Sequence, residues 1–123
     1  MKIQKSAEDY LEAMLMLREE LGYIRSIDVA EQLGVSKPSV SYAVKRLREN
    51  GYVTMDDEQR IHLTSAGLLI AEDIYSRHKI LTQFFASLGV DPAVAAEDAC
   101  KVEHDLSPAT FAALKSYVEK SER

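Results

Sequence analysis

The chain has 123 residues, enough for one compact domain or for a small domain with an appended helical module. At 28% charged and 46% hydrophobic residues it is globular rather than disordered, and no apolar run reaches the length of a membrane span. The net charge of -5 argues mildly against nucleic acid as a partner, since DNA binders are often basic overall, and a single cysteine, Cys100, excludes an internal disulfide. The start of the chain leads into no signal-peptide core, so a reducing, cytoplasmic setting is expected, with no membrane partner.

In chain order, Ser6 is expected to open a first long helix. Leu11, Met14, Leu15, Met16 and Leu17 form its apolar face and Gly22 ends it. Asp9 and Glu12 lie three residues apart, so both carboxylates project from one side of that helix, their Cβ atoms about 5–6 Å apart. Acids in a first turn are explained equally by capping and by compensation of the helix dipole.

Residues 26–63 read as helix, turn, helix and a small hairpin. Ile27, Val29, Ala30 and Leu33 give the first of these helices an apolar stripe, Gly34 supplies its left-handed terminus, and Val35 is expected to be a buried turn position. Ser36 is a good N-cap for the second, and Pro38 sits in a first turn where its missing N–H costs nothing. Val40, Ala43, Val44 and Leu47 face inward, which leaves Ser36, Lys37, Pro38, Ser39, Ser41, Tyr42, Lys45 and Arg46 outside. Four cations stand against one acid, Glu49, on this short helix. Asn50 and Gly51 close it, and extended runs at 52–55 and 60–63 flank the polar turn at 56–59. That order is the pattern of a winged helix-turn-helix, a module that reads double-stranded DNA. The hydroxyl residues at the start of its second helix can approach phosphates and base edges, and the local positive charge offsets the acidic total.

Thr64 or Ser65 is expected to cap a long helix running to about Leu88, with close packing at Ala66-Gly67. Leu68, Leu69, Ile70, Ile74, Ile80, Leu81, Phe84 and Phe85 make its apolar surface too wide for one neighbour, and His78 lies in its middle. Gly89 breaks the chain and Asp91-Pro92 starts another helix, with Val94, Ala95, Ala99 and Val102 expected inward. Ser107-Pro108 begins a last helix with Phe111, Leu114 and Val118 as its stripe. Cys100, Glu103 and His104 occupy positions i, i+3 and i+4, so thiolate, carboxylate and imidazole share one helical face. Such a trio makes half a site for a divalent transition metal, or a small buried cysteine beside two solvated polar residues. A nucleophilic Cys100 with His104 as base would need oxyanion donors and an orienting acid that nothing in the sequence supplies, so the chain reads as no enzyme.

SAEDYLE at 6–12, IDVAEQLGVSKPSVSYAVKRLRENGYV at 27–53, LTSAG at 63–67, SRHKIL at 76–81 and ACKVEHDLS at 99–107 together resemble the diphtheria toxin repressor family of metal-dependent transcriptional regulators. The resemblance covers essentially the whole chain and is greater to the short, manganese-sensing branch. It implies a mainly α fold: a winged helix-turn-helix DNA-binding domain over 1–64, then a helical metal-binding and dimerisation domain over 65–123, with no SH3-like C-terminal domain. Carried over by position, the metal ligands are Asp9, Glu12, His78, Cys100, Glu103 and His104. Two departures stand out. Cys100 occupies a place where the manganese branch usually has glutamate and the iron branch cysteine, whereas Asp9 and Glu12 follow the manganese branch. Thr82 and Ala96 replace two ligands of the iron branch's ancillary site, which is therefore not expected here.

The implied function is a homodimeric, metal-activated repressor of metal-uptake genes that binds a palindromic operator, its two reading helices about 34 Å apart or a multiple of that. Phe84, Phe85, Phe111 and Leu114 are the expected dimer glue. The oxygen donors favour Mn2+ with Fe2+ second, while the thiol leaves Zn2+ or Co2+ open. The alternatives are a metal-independent winged-helix regulator answering an organic ligand, and a metal buffer that does not bind DNA.

Overall fold

The computed structural model describes residues 5–121. In chain order its elements are α1 (Lys5–Leu21), α2 (Ser26–Leu33), α3 (Lys37–Glu49), β1 (Val53–Met55), β2 (Ile61–Leu63), α4 (Ser65–Ser87), α5 (Pro92–Val102) and α6 (Pro108–Ser121). The fold is mainly helical, and β1 and β2 are its only strands among the described residues. It divides into two compact units, with the boundary inside α4 between Glu72 and Asp73.

In the first unit, α1 packs on α2, α3 and β2. Leu11 and Met14 are fully covered, and Leu15 and Leu17 nearly so, because they recur at the spacing that keeps one helical face inward. The helix is already formed at Lys5, so Ser6 lies within its first turn rather than before it. Glu12 is buried on this helix while Asp9 is half-buried.

Gly34, at φ 68°, ends α2, and its N–H and that of Val35 both donate to the Ala30 carbonyl. Two inward assignments in this region are corrected. Val35 closes the helix with its amide, not its side chain, which is 38% exposed. Ile27 is 47% exposed, because in a helix of two turns it stands about 200° around the axis from Val29, which is fully buried. Val40, Val44 and Leu47 of α3 are buried as expected, and Ser36 caps that helix by accepting from Ser39 N–H at 3.2 Å.

The wing is a short antiparallel pair in which Val53 faces Leu63, Thr54 faces His62 and Met55 faces Ile61. Its base is tied to the loop after α1: Ile61 N–H donates to the Ile24 carbonyl at 2.8 Å, and Arg25 bridges to Arg60. Ile24 is 1% exposed, a core residue that helical periodicity does not reveal because it sits between elements. The wing's turn is organised by Asp56. One carboxylate oxygen accepts from Glu58 and Arg60 N–H, and the other sits 2.8 Å from His62 Nε2. The His62 bond and these backbone bonds hold the Asp56 carboxyl below the usual carboxylate range.

Thr64 joins wing to α4. Its hydroxyl donates to the Gly51 carbonyl at 2.7 Å and accepts from Gly67 N–H, while its own N–H donates to the Tyr52 carbonyl. Gly67 lies against that turn so closely that a Cβ there would overlap the Tyr52 carbonyl.

In the second unit, Ile74 and Leu81 of α4, Ala95 and Ala99 of α5, and Phe111 and Val118 of α6 are buried. Val94 is corrected to 45% exposed, since it stands about 100° from Ala95 and about 140° from Ala99 around α5. Phe111 is also corrected. At 8% exposed, with the Arg77 guanidinium 5.2 Å from its ring centroid, it belongs to this unit's own core and is not available as dimer glue. No helix is long and apolar enough to cross a membrane among the described residues.

Two expectations follow. Gly67→Ala should destabilise the first unit by about 3 kcal/mol, the upper end of ordinary overpacking, because the obstacle is backbone; thermal unfolding measures it. The depressed Asp56 pKa makes its contribution to the wing present above the ordinary carboxylate value and lost as pH falls through the lower folded value. Amide exchange of Glu58 and Arg60 should therefore stay protected at neutral pH and lose protection only below about pH 4, whereas Asp56→Ala should remove it throughout.

Candidate nucleic-acid interface and metal centre

The outer face of α3 is a built surface rather than a loose one. Ser36, Lys37, Pro38, Ser39, Ser41, Tyr42, Lys45 and Arg46 are all exposed. Ser36 and Ser39 hydroxyls lie 2.8 Å apart at the N-terminus, where backbone N–H groups favour an anion. Tyr42 is 63% exposed, and its hydroxyl accepts from Arg46 Nη1 at 3.1 Å, so the guanidinium lies along the helix with its charge still in solvent. A ring that can lie flat on a base or sugar beside a fixed guanidinium suits recognition of the duplex. Near the base of the wing, Tyr23 carries two more cations over its ring, Arg25 at 4.8 Å and Arg60 at 5.4 Å from the centroid. Sequence reasoning missed this trio because the three residues meet only through the pairing of the loop after α1 with the wing.

The second cluster lies at the end of α5. Ala95 and Ala99, small and fully buried, let α5 lie close, and the helix ends at Val102. Glu103 follows with φ -57° and ψ -27°, still helical, so the register set by Cys100 carries through it. Its carboxylate is 0% exposed. One oxygen, Oε2, is 3.0 Å from His78 Nδ1 on α4, and Cys100 Sγ is 3.8 Å from the same nitrogen. The other, Oε1, faces His104 Nε2 at 3.5 Å, near enough for charge attraction but not aligned as a hydrogen bond. His78, Cys100 and Glu103 each bring one donor atom within 4.8 Å of the others.

This donor set fits a divalent cation. A buried carboxylate is costly without a compensating charge, and among the described residues no lysine or arginine lies on it. Arg77 is the near cation, yet it donates to backbone carbonyls, Glu103 O at 3.3 Å and Leu106 O at 2.6 Å. Carboxylate, imidazole and thiol donors together suit first-row transition ions. Of the sequence-assigned ligands, His78, Cys100, Glu103 and His104 come together within the second unit, while Asp9 and Glu12 lie one turn apart on α1 in the first. Arg77 was missed, although it sits beside His78 in the same stretch.

A winged reading head followed by a helical unit with a transition-metal donor cluster defines a class, the metal-dependent transcriptional regulators. The chain belongs to the iron-dependent repressor family: the family's N-terminal DNA binding domain matches residues 2–60, and its metal binding and dimerisation domain matches residues 64–123. It is 36% identical over 113 residues to the transcriptional regulator MntR of Escherichia coli, covering 92% of this chain and 73% of that protein. To MntR of Bacillus subtilis it is 39% identical over 102 residues, covering 83% of this chain and 72% of that one. The solved structure of the manganese regulator SloR superposes with a TM-score of 0.81 at 29% identity, covering 97% of this chain and 55% of that chain. The chain thus spans about half the length of that solved relative.

If the α3 face lies on phosphates and base edges, Lys45→Ala should weaken binding to specific and random duplexes alike and reduce the salt slope by about one. Titrations across a salt series measure this, and an unchanged slope would remove Lys45 from the contact surface.

Proposed function

We propose that this protein is a homodimeric repressor of metal-uptake genes, activated by manganese, with ferrous iron the second choice. The observation that carries the reading is the buried Glu103 carboxylate between His78 and His104, with Cys100 beside it, in a chain whose first unit presents a basic reading helix. The metal would be held by Asp9, Glu12, His78, Cys100, Glu103 and His104, and it would supply the positive charge that the buried carboxylate lacks. The two α1 carboxylates weigh toward manganese, as do the manganese-named relatives. Cys100 is the one soft donor and weighs toward iron, cobalt or zinc. A relative named for bound zinc, ScaR, is 28% identical at a TM-score of 0.74, and zinc's place above manganese in the affinity order means that tight binding alone does not identify the activator.

Residues of the chain divide the work. His78 and Glu103 would supply donors from α4 and the end of α5, and Asp9 and Glu12 would supply theirs from α1. Metal would act by population shift, favouring the DNA-competent form only by its differential affinity for it. Leu88, Val94 and Tyr117 are exposed apolar side chains of the second unit, and with Phe84 and Phe85 they supply the surface for a second copy. The two-fold pair would then read a palindrome.

The test begins with selection of binding sites from a random duplex library with Mn2+ present. The selected duplex is then titrated anaerobically with wild type and Cys100→Glu at buffered free Mn2+, Fe2+, Co2+ and Zn2+, with a chelator control. Wild type should bind with manganese, release the duplex on chelation, and respond to manganese at lower concentration in Cys100→Glu. Activation by iron or zinc without any response to manganese would assign selectivity to the cysteine instead, and binding indifferent to chelation would end the metal-activated reading.

A further inference from the structure

Arg77 is 8% exposed, and its buried charge serves neither DNA nor the Glu103 carboxylate. Its Nη1 donates to the carbonyls of Glu103 and Leu106, at 3.3 and 2.6 Å. Its Nε faces Asp73 one turn back at 3.4 Å, and its plane lies over the Phe111 ring at 5.2 Å. The Glu103 carbonyl is among the groups that the end of α5 leaves without an intrahelical partner, and the Leu106 carbonyl lies in the turn that leads to α6. The two N–H groups of that one guanidinium nitrogen can serve both carbonyls at once, and the charge suits the negative end of a helix dipole.

The neighbouring residue supplies the second half of the arrangement. His78 follows Arg77 on α4, about 100° further around the axis, and reaches the same glutamate from another side. Arg77 grips the main chain of Glu103 while His78 Nδ1 meets its carboxylate at 3.0 Å. Two grips on one residue fix both its place and its orientation. With the guanidinium directed to carbonyls, the carboxylate stays available to a cation instead of being neutralised by an arginine.

We propose that Arg77 is a positioning residue for the divalent-cation site: it clamps the 103–106 turn to α4 and thereby aims the Glu103 carboxylate at the cation. This rests on the metal-site reading above, and it adds a residue that supplies no ligand atom. Outer-shell partners that orient metal ligands commonly govern affinity by about 10–100-fold.

The experiment uses the full chain as wild type, Arg77→Met and Arg77→Lys. Mn2+ affinity is followed by the electron paramagnetic resonance of the free ion, and fold by circular dichroism and thermal unfolding. A metal-free arm compares the His78 imidazole nitrogen resonances of all three. Arg77→Met should bind Mn2+ about 10–100-fold more weakly. Arg77→Lys keeps the charge and N–H donors but loses the planar, pre-organised guanidinium, and should fall between. The His78 resonances should move in both variants without metal, while resonances of Val40 and Val44 stay in place. Folded variants that bind Mn2+ within threefold of wild type, or that leave the His78 resonances unmoved, would overturn the proposal. Should Arg77→Met fail to fold, Arg77→Lys decides by the same two readouts. Wild type that binds no Mn2+, Fe2+ or Co2+ would end the metal-site reading, and the His78 resonances would still report separately whether Arg77 positions the turn.

Discussion

A carboxylate held entirely out of water is the constraint around which the second unit is arranged. Glu103 is 0% exposed, and a charge in that position persists only if the fold surrounds it with compensating groups. The unit meets the demand in layers. Two imidazoles face the carboxylate, a thiol lies beside one of them, and a guanidinium is committed to the adjoining carbonyls. The apolar scaffold follows from the same need: Ala95 and Ala99 keep α5 slim, and Phe111 fills the space beneath Arg77. Replacing buried ionic groups with apolar side chains of similar volume is often neutral or stabilising, so the presence of such a cluster in so small a unit argues for use rather than for stability.

The first unit solves a different problem, which is to keep a polar helix face rigid while leaving it uncovered. The core behind α3 is built from β-branched and branched side chains, Val40, Val44 and Leu47, backed by Val29 and Leu11. Polar restraints then set the outer face: the Ser36 cap at one end, the Tyr42–Arg46 pair along the middle and the Asn50 side chain on the Arg46 carbonyl at the other. The wing is restrained in the same manner, by Asp56 within its turn, by Ile24 at its base and by Thr64 at its exit. These local bonds reduce the conformational freedom that would otherwise be lost on binding.

How far the residues alone announced this arrangement depended on the range of the interactions. Helix periods, the Gly34 terminus, the Ser36 cap and the single helical face of Cys100 and Glu103 depend on neighbours within a few positions, and each was legible; close packing at Gly67 was legible too, but not its partner, the Tyr52 carbonyl. Side-chain burial at the edge of a stripe was not. Ile27, Val35 and Val94 are apolar but exposed, because a period says which residues share a face and not how wide the neighbouring surface is. Long-range partners were invisible as well: Ile24 on Ile61, Tyr23 under Arg60, and Arg77 on the 103–106 turn join positions far apart in sequence. Phe111 is a related case, an aromatic residue assigned to a second copy because the buried cation above it could not be foreseen.

The donor set also bears on why one chain combines features of two metal chemistries. A thiol in place of a carboxylate at residue 100 changes softness and formal charge while leaving the helical position unaltered. The cysteine is exposed and 3.8 Å from His78, at the edge of the cluster, whereas Glu103 is at its centre. A central hard donor held at both its main chain and its carboxylate, and an exposed soft donor at the edge, would have unequal influence on a bound ion. If both are ligands, as proposed, the glutamate would set which ions can be accommodated and the cysteine would adjust preference among them. Selectivity in a site of that kind depends on geometry and ligand placement as well as on ligand type, so the proposed clamp on Glu103 would bear on metal choice alongside the identity of residue 100.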